Sequence, residues 1–420
     1  MDKFVIRGGN RLRGVVDISG AKNAALALMP AALLASGKYT FTNVPDLRDI
    51  KTMSALLQDM GMVIKRKSQT LFIDSSGVHK YEAPYEHVKK MRASVYVLGP
   101  LVARYGYAKV SLPGGCAWGP RPVNLHIDGI QKLGASVELD QGYIVAKAKR
   151  LKGTKITFDV SSVGATGNIL MAAVLAKGTT RIENAAVEPE ITALTEFLLK
   201  MGAKIYGIGT NTLEVEGIDE LQTTDVEMIP DRIEAGTFLV AAAITNGHIK
   251  LNKCNPDHLS SVIQKLSEAG CNISVGDSSI EIKSSKRINP VDVTTAIYPG
   301  FPTDMQAQWI ALMTLAKGSS SVTDTIYFDR FKHVPELMRL GANIRLNENV
   351  AIVKGVSKLT GAKVMSTDLR ASASLVLAAL VARGTTEVLR VYHIDRGYER
   401  MEKKLRALGA DIRRISSKEY

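Results

Sequence analysis

The chain has 420 residues, 54 Lys and Arg against 41 Asp and Glu for a net charge of +13, and three cysteines. A single core stops growing at roughly 250 to 300 residues, so two or three domains are expected. Cys116, Cys254 and Cys271 are odd in number and form no CxxC pair, which argues against a disulfide framework or zinc ribbon and fits a reducing cytosol.

The positive charge points to an anionic partner, nucleic acid or small phosphorylated substrate alike. No charged segment followed by an apolar run opens the chain. The most apolar stretches, such as FLVAAAITNG at 238 to 247, fall short of the about 18 residues a membrane span needs. A soluble, cytoplasmic protein is expected.

In chain order, MDKFVIRGGNRLRGVVDIS is strand-like, lacks a helix of its own, and is expected to complete the domain that the chain's end reaches. SGAKNAALALMPAALL then places Lys22 and Asn23 at the mouth of an apolar helix. Free N–H groups and the positive dipole end, with a lysine beside them, make an anion site; a solvated first-turn lysine is the plainer alternative.

From there one phrase recurs, an apolar helical run, a Gly, then an alternating strand. Its copies LLQDMGMVIK, IQKLGASVEL, LLKMGAKIYG, KLSEAGCNISV, LMRLGANIRL and LRALGADIRR carry Gly61, Gly134, Gly202, Gly270, Gly341 and Gly409. A second phrase interleaves with it, with Gly37, Gly106, Gly178, Gly247, Gly318 and Gly384. Glycine ends a helix in the left-handed region without a Cβ penalty, so each phrase reads as helix, cap, strand.

The strands alternate, as in KVSL and TTRIEN, placing one face on a core. One repeat is therefore roughly βαβαββ. The terminal repeats are no more polar than the others, which argues against a solenoid. Two α/β domains of three repeats each are expected, one over 22–229 and one over 1–21 with 230–420, the boundary falling near EMIPDRIEAG. Short connections would leave a cleft between them as the natural ligand site.

Charged groups cluster at element ends. KKMRASVYVLGP holds Arg92, and STDLRASASLVLAAL holds Asp368 and Arg370, each arginine opening an apolar helix. A cation there opposes the helix dipole, so either a bound anion or an ion pair to Asp or Glu must offset it. SLPGGCAWGPRPVNL sets Cys116 in a Gly/Pro loop with Arg121 five residues on, where a cation favours the thiolate. A reactive cysteine and an incidental exposed thiol both fit. FPTDMQAQWIALM carries Asp304 at a helix start, the ordinary place of an N-cap. IYFDRFKHVPELMRLG offers Arg330 and VYHIDRGYERMEKKL offers Arg396. GxxxxGK[ST], GxGxxG after a strand, HExxH and GxSxG are missing, leaving nucleotide hydrolysis, dinucleotide redox, zinc proteolysis and common esterase designs unsupported.

Taken together, SGAKNAAL, MRASVYVLGPLVAR, LPGGC followed by GxRPVxLHI, SVGAT, ENAAxEPE, PDRIEAGTFLVAAA, FPTDMQAQ, HVPEL, TDLRASASLVLA and HIDRGYER closely resemble the enolpyruvyl transferase family, in the branch acting on UDP-N-acetylglucosamine. The resemblance runs from Met1 almost to the chain's end. It implies an inside-out α/β barrel of two domains, each of three βαβαββ units, with the active site in the interdomain cleft.

The implied reaction moves the enolpyruvyl group of phosphoenolpyruvate to the 3′-hydroxyl of UDP-N-acetylglucosamine with release of phosphate. That is the first committed step of peptidoglycan synthesis, and so serves cell-wall growth and division; no cofactor or metal is implied. By resemblance, Lys22, Arg121, Arg370 and Arg396 surround phosphoenolpyruvate, and Cys116 is the loop acid, which forms adducts and is the target of fosfomycin. Asn23, Arg92, Arg121, Pro122, Val123, Asn124, Leu125, Ser162, Val163, Gly164, Asp304 and Ile326 match positions that hold the sugar nucleotide, with Arg330 and Asp368 in the same site. Asp304 is the expected base for the 3′-hydroxyl, alongside Cys116, Lys22 and Arg396 as catalytic groups. Bidentate arginines suit the carboxylate and phosphates of both substrates.

Two departures stand out, Val160 where some relatives have lysine, and Ala117 with Trp118 after the loop cysteine. A nucleic-acid clamp is the rival from another class. It is disfavoured because the arginines gather at helix starts and aromatics are 6% with no basic stripe among them. The nearer rival, the sister enzyme acting on shikimate 3-phosphate, lacks the LPGGC cysteine and the RPVxL segment.

Overall fold

The computed structural model describes residues 2–89, 91–112, 123–284 and 288–416. The chain divides into two compact units, a continuous one, Gly20–Ile229, and a discontinuous one, Met1–Ser19 with Pro230–Tyr420.

The described residues form six four-stranded sheets on one plan. In the sheet built on Lys38–Thr42, the two-residue strand Val226–Glu227 runs parallel along one edge, while Thr70–Asp74 and Val63–Lys67 add the antiparallel hairpin on the other side. The sheets of Tyr107–Ser111 and Thr179–Glu183 complete the continuous unit in the same order. In the discontinuous unit the plan recurs around His248–Asn252, Ser319–Thr323 and Thr385–Leu389.

Its last sheet shows why the opening segment has no helix. There Asp2–Arg7 takes the place that the returning hairpin strand holds in the other sheets, antiparallel to both Thr385–Leu389 and Asp411–Ser416. Arg13–Asp17 then supplies the parallel edge of the His248–Asn252 sheet.

Two kinds of helix alternate along the chain. Lys22–Ala31, Leu98–Tyr105 and Val163–Ala173 in one unit, and Arg232–Ile244, Gln306–Met313 and Leu369–Ala379 in the other, are built from Ala, Leu, Val, Ile and Met on nearly every face and are mostly buried. A helix apolar all round belongs in the interior. Arg48–Asp59, Asn124–Lys132, Ser260–Glu268 and Met401–Ala407 bury one side only and cover the flanks. Each unit thereby has its own core, Ala21 to Met228 in one and Phe4 to Ile18 with Ile233 to Ile412 in the other.

The first glycine series is left-handed in all six copies, from φ 93° to 108°. The second is so in five; at the fourth copy Asn246, φ 59°, takes the positive angle in place of Gly247. Asn tolerates that region because its short polar side chain bonds locally.

Candidate functional site

In the discontinuous unit, Pro302 leads into the short turn Thr303–Met305, which feeds the buried helix Gln306–Met313. Asp304 lies in that turn but does not cap it: neither start carries a side-chain cap bond. The carboxylate turns to charge instead of to backbone, with Arg330 Nη2 at 2.7 Å from Oδ1 and Arg370 Nε at 3.1 Å from Oδ2. Charge-assisted bonds are about twice as strong as neutral ones, which explains the preference.

Arg330 is buried, and its Nη1 donates to Thr303 Oγ1 at 2.9 Å. Arg370 is 1% exposed, its guanidinium 5.3 Å from the Tyr398 ring centroid. Its Nη1 and Nη2 find no hydrogen-bond acceptor among the described residues. Burial works against the charge of both guanidiniums, but the acidic groups around them, Asp304 foremost, together more than offset it and both are held firmly cationic. The bland reading of Arg370 as half of an ion pair is therefore correct, yet incomplete, because its two terminal nitrogens lack an acceptor among the described residues.

Asp368 is the true cap here: its Oδ1 accepts from Arg370 N at 2.8 Å and Ala371 N at 3.2 Å. Burial pushes its carboxyl pKa up, with Arg330 pulling the other way. Tyr398 OH bonds Thr237 Oγ1 at 3.0 Å and Gln308 Nε2 at 3.1 Å, fixing the ring against Arg370. His333 is buried, and burial reinforced by Arg330 lowers its pKa to about 3, so the ring is neutral. Arg396 ends the turn Val391–Arg396 and is half-buried, as is Ile326.

In the continuous unit, Lys22 opens its helix and is buried, not solvated; Nζ lies 3.6 Å from Asp49 Oδ2. Asn23 beside it is half-buried. Arg92 opens the turn Arg92–Val97 that leads into the helix Leu98–Tyr105. Ser162 caps Val163–Ala173, its Oγ accepting from Ala165 N at 3.3 Å. Gly164 packs on His126: a Cβ there would stand 3.2 Å from the ring's Cε1 and Nε2.

This contact joins the segment Val123, Asn124, Leu125 to the segment Ser162, Val163, Gly164. Asn168 extends the junction. Its Oδ1 accepts from Gly99 N, and its Nδ2 reaches Val95 O and His126 Nδ1, each at 2.9 Å. An amide donor facing Nδ1 places the ring proton on Nε2. Burial lowers the His126 pKa to about 4, so this ring too is neutral.

Asp304, Arg330, Arg370 and Asp368 thus stand together in one unit, and the Arg92 turn, Val123–Leu125 and Ser162–Gly164 in the other. Cys116, Arg121, Pro122, Ala117 and Trp118 lie outside the described residues; Val160 is 65% exposed. Sequence reasoning missed Asp49, Thr303, Asp324, His126 and Asn168. In VTDTIY and TGNIL these are ordinary loop and helix letters, and only their long-range partners mark them. Among the described residues no group of three His, Cys, Asp or Glu could hold a metal ion, and no helix is long and apolar enough to cross a membrane.

What these two sites share is a set of cations and N–H groups at the starts of buried helices, in a fold repeated six times. Residues 6–405 match the family model described as EPSP synthase (3-phosphoshikimate 1-carboxyvinyltransferase), and the chain belongs to that family. Within it, the chain is 60% identical over 423 residues to the UDP-N-acetylglucosamine 1-carboxyvinyltransferase of Chloroherpeton thalassium, covering 100% of this chain and 99% of that one. It is 54% identical over 416 residues to the protein of the same name from Desulforapulum autotrophicum, covering 99% and 100%. Among solved structures, the enolpyruvyl transferase NikO from Streptomyces tendae superposes with a TM-score of 0.90 at 27% identity, covering 99% of both chains. EPSP synthase from Acinetobacter baumannii gives 0.76 at 19% identity, over 99% and 100%, a likeness of fold.

Proposed function

We propose that this chain is a cytoplasmic transferase that moves the enolpyruvyl group of phosphoenolpyruvate to the 3′-hydroxyl of UDP-N-acetylglucosamine and releases phosphate, opening peptidoglycan synthesis. The observation that carries the reading is the Asp304 carboxylate between two buried guanidiniums, one with unspent donors. That is a proton acceptor set in an anion site. The acceptor sugar follows from the names of the full-length relatives at 54% to 60% identity.

In the reaction, the 3′-hydroxyl oxygen adds to C2 of phosphoenolpyruvate while Asp304 takes its proton. C3 takes a proton from Cys116, and a tetrahedral phosphate adduct forms. Loss of a C3 proton to the Cys116 thiolate, and of phosphate from C2 carrying the proton held by Asp304, restores the double bond and both catalytic groups. Arg370, Arg396, Arg121 and Lys22 hold the phosphate and carboxylate, with Arg330 steadying Asp304. Asn23, Arg92, the segment Arg121 to Leu125, Ser162 to Gly164 and Ile326 hold the sugar nucleotide. Fosfomycin, an epoxide with a phosphonate, alkylates Cys116.

One assay tests the reading. Phosphate release is expected with phosphoenolpyruvate plus UDP-N-acetylglucosamine and not with shikimate 3-phosphate; fosfomycin abolishes it in the parent and not in Cys116→Asp. Release with shikimate 3-phosphate alone would hand the chain to the sister activity.

A further inference from the structure

Asp324 follows the strand Ser319–Thr323 and is 0% exposed. Its Oδ1 accepts from Ile326 N and Tyr327 N, both at 2.9 Å, and from Thr295 Oγ1 at 2.8 Å. Those bonds shape the turn that carries Ile326. An Asn or Ser at this place would serve a turn as well, and a fully buried carboxylate is costlier than either. The second oxygen is what distinguishes aspartate. Oδ2 accepts from Thr303 Oγ1 at 2.7 Å, and Thr303 Oγ1 in turn accepts from Arg330 Nη1 at 2.9 Å.

The direction of this chain is set by chemistry. A hydroxyl has one proton, and the guanidinium of Arg330 can only donate to it. Asp324 therefore claims the Thr303 proton and leaves the oxygen lone pairs facing Arg330. With Nη1 bound to Thr303 and Nη2 bound to Asp304, the guanidinium plane is fixed at two points, and so is the carboxylate it grips. We propose that Asp324 is a positioning residue for the transfer: through Thr303 and Arg330 it holds the Asp304 carboxylate in register, and through Oδ1 it holds the turn of Ile326. The inference rests on the function proposed above.

Thr303→Val cuts the relay alone and keeps the side-chain shape, while Thr303→Ser restores the hydroxyl. Misplacing a reacting group by about 1 Å can cost a hundredfold in rate. Thr303→Val is expected to lower kcat by ten- to a hundredfold, with the KM for UDP-N-acetylglucosamine within threefold of the parent and the melting temperature within a few degrees. Thr303→Ser should stay within threefold of the parent in kcat. Asp324→Ala also frees the Ile326 turn, so it should lower kcat and raise that KM together.

The inference is overturned if Thr303→Val keeps kcat within threefold, if Thr303→Ser is as impaired as Thr303→Val, or if the loss sits in KM alone. Should the parent fail to turn over UDP-N-acetylglucosamine, the proposed function falls. The same variants are then read on shikimate 3-phosphate, where the same order of kcat is expected and its absence again overturns the relay.

Discussion

A carboxylate gripped by two guanidiniums is a reluctant proton acceptor, because nearby opposite charge favours its ionised form. Asp304 is in that position, and under the proposed function the substrate supplies the remedy. The phosphate and carboxylate of phosphoenolpyruvate would take Arg370 Nη1 and Nη2, uncommitted among the described residues, and their negative charge weakens the field that holds Asp304 ionised. Since Asp304 makes no cap, the variant Asp304→Asn does not test a cap. It leaves two buried cations short of a counter-charge and removes the base. Turnover should fall by at least about a hundredfold, sugar-nucleotide binding should persist by calorimetry, and stability should drop by about 1 to 3 kcal/mol. Turnover within a few fold of the parent would end the assignment. Asp368, buried and with its pKa raised, would then be the base to examine.

In each unit the candidate residues lie at the starts of buried helices. Lys22 and Asn23, the Arg92 turn and Ser162 to Gly164 lie at helix entries in one unit, as Asp304, Asp368 and Arg370 do in the other, where N–H groups and the positive dipole end favour anions. The central helices can pack this closely because of glycine at chosen points. At Gly99 a Cβ would come 2.2 Å from Asn168 O and 2.4 Å from Asn168 Oδ1. Gly134 is a different case, with nothing within 4 Å of its Cβ but a φ of +93°. Gly134→Ala should therefore cost only its backbone conformation, about 1 to 2 kcal/mol. Gly99→Ala must push the Asn168 junction apart and should cost more, typically 1 to 3 kcal/mol for overpacking plus the bonds lost, measured by urea unfolding. Equal losses would mean that the junction is not tight.

That contrast marks what sequence could show. The six repeats were legible because each copy spends a glycine on a left-handed cap, a local requirement. Lys22 and Arg370 were legible as charges opening apolar helices, whereas Arg330, set among Asp329, Lys332 and His333, carried little signal of its own. Asn168 and Asp324 were not legible, since their partners lie 69 residues away at Gly99 and 21 away at Thr303, and nothing local distinguishes them from helix or loop residues.

At the scale of the whole molecule, each unit keeps one neutral histidine in its interior, His126 with a pKa lowered to about 4 and His333 to about 3. Unfolded histidine titrates near 6.5. Between these values the unfolded chain binds protons that the folded chain refuses, so stability is full above about pH 6.5 and is lost as pH falls toward the folded values. From pH 7 to 5 each histidine should withdraw about 2 kcal/mol. Glu234 and Asp368 act in the opposite sense, because burial raises their pKa values and protonation at low pH relieves them; they cannot produce a loss on acidification. The parent's urea-unfolding free energy should thus be lower at pH 5 than at pH 7. His126→Gln, which keeps an acceptor for the Asn168 amide and has no proton to gain, should remove about half of the difference. A parent whose stability is flat or rises from pH 7 to 5 would show that the two rings do not outweigh the opposing carboxyls Glu234 and Asp368. A His126→Gln chain with the parent's full slope would place the whole effect in the discontinuous unit, on His333.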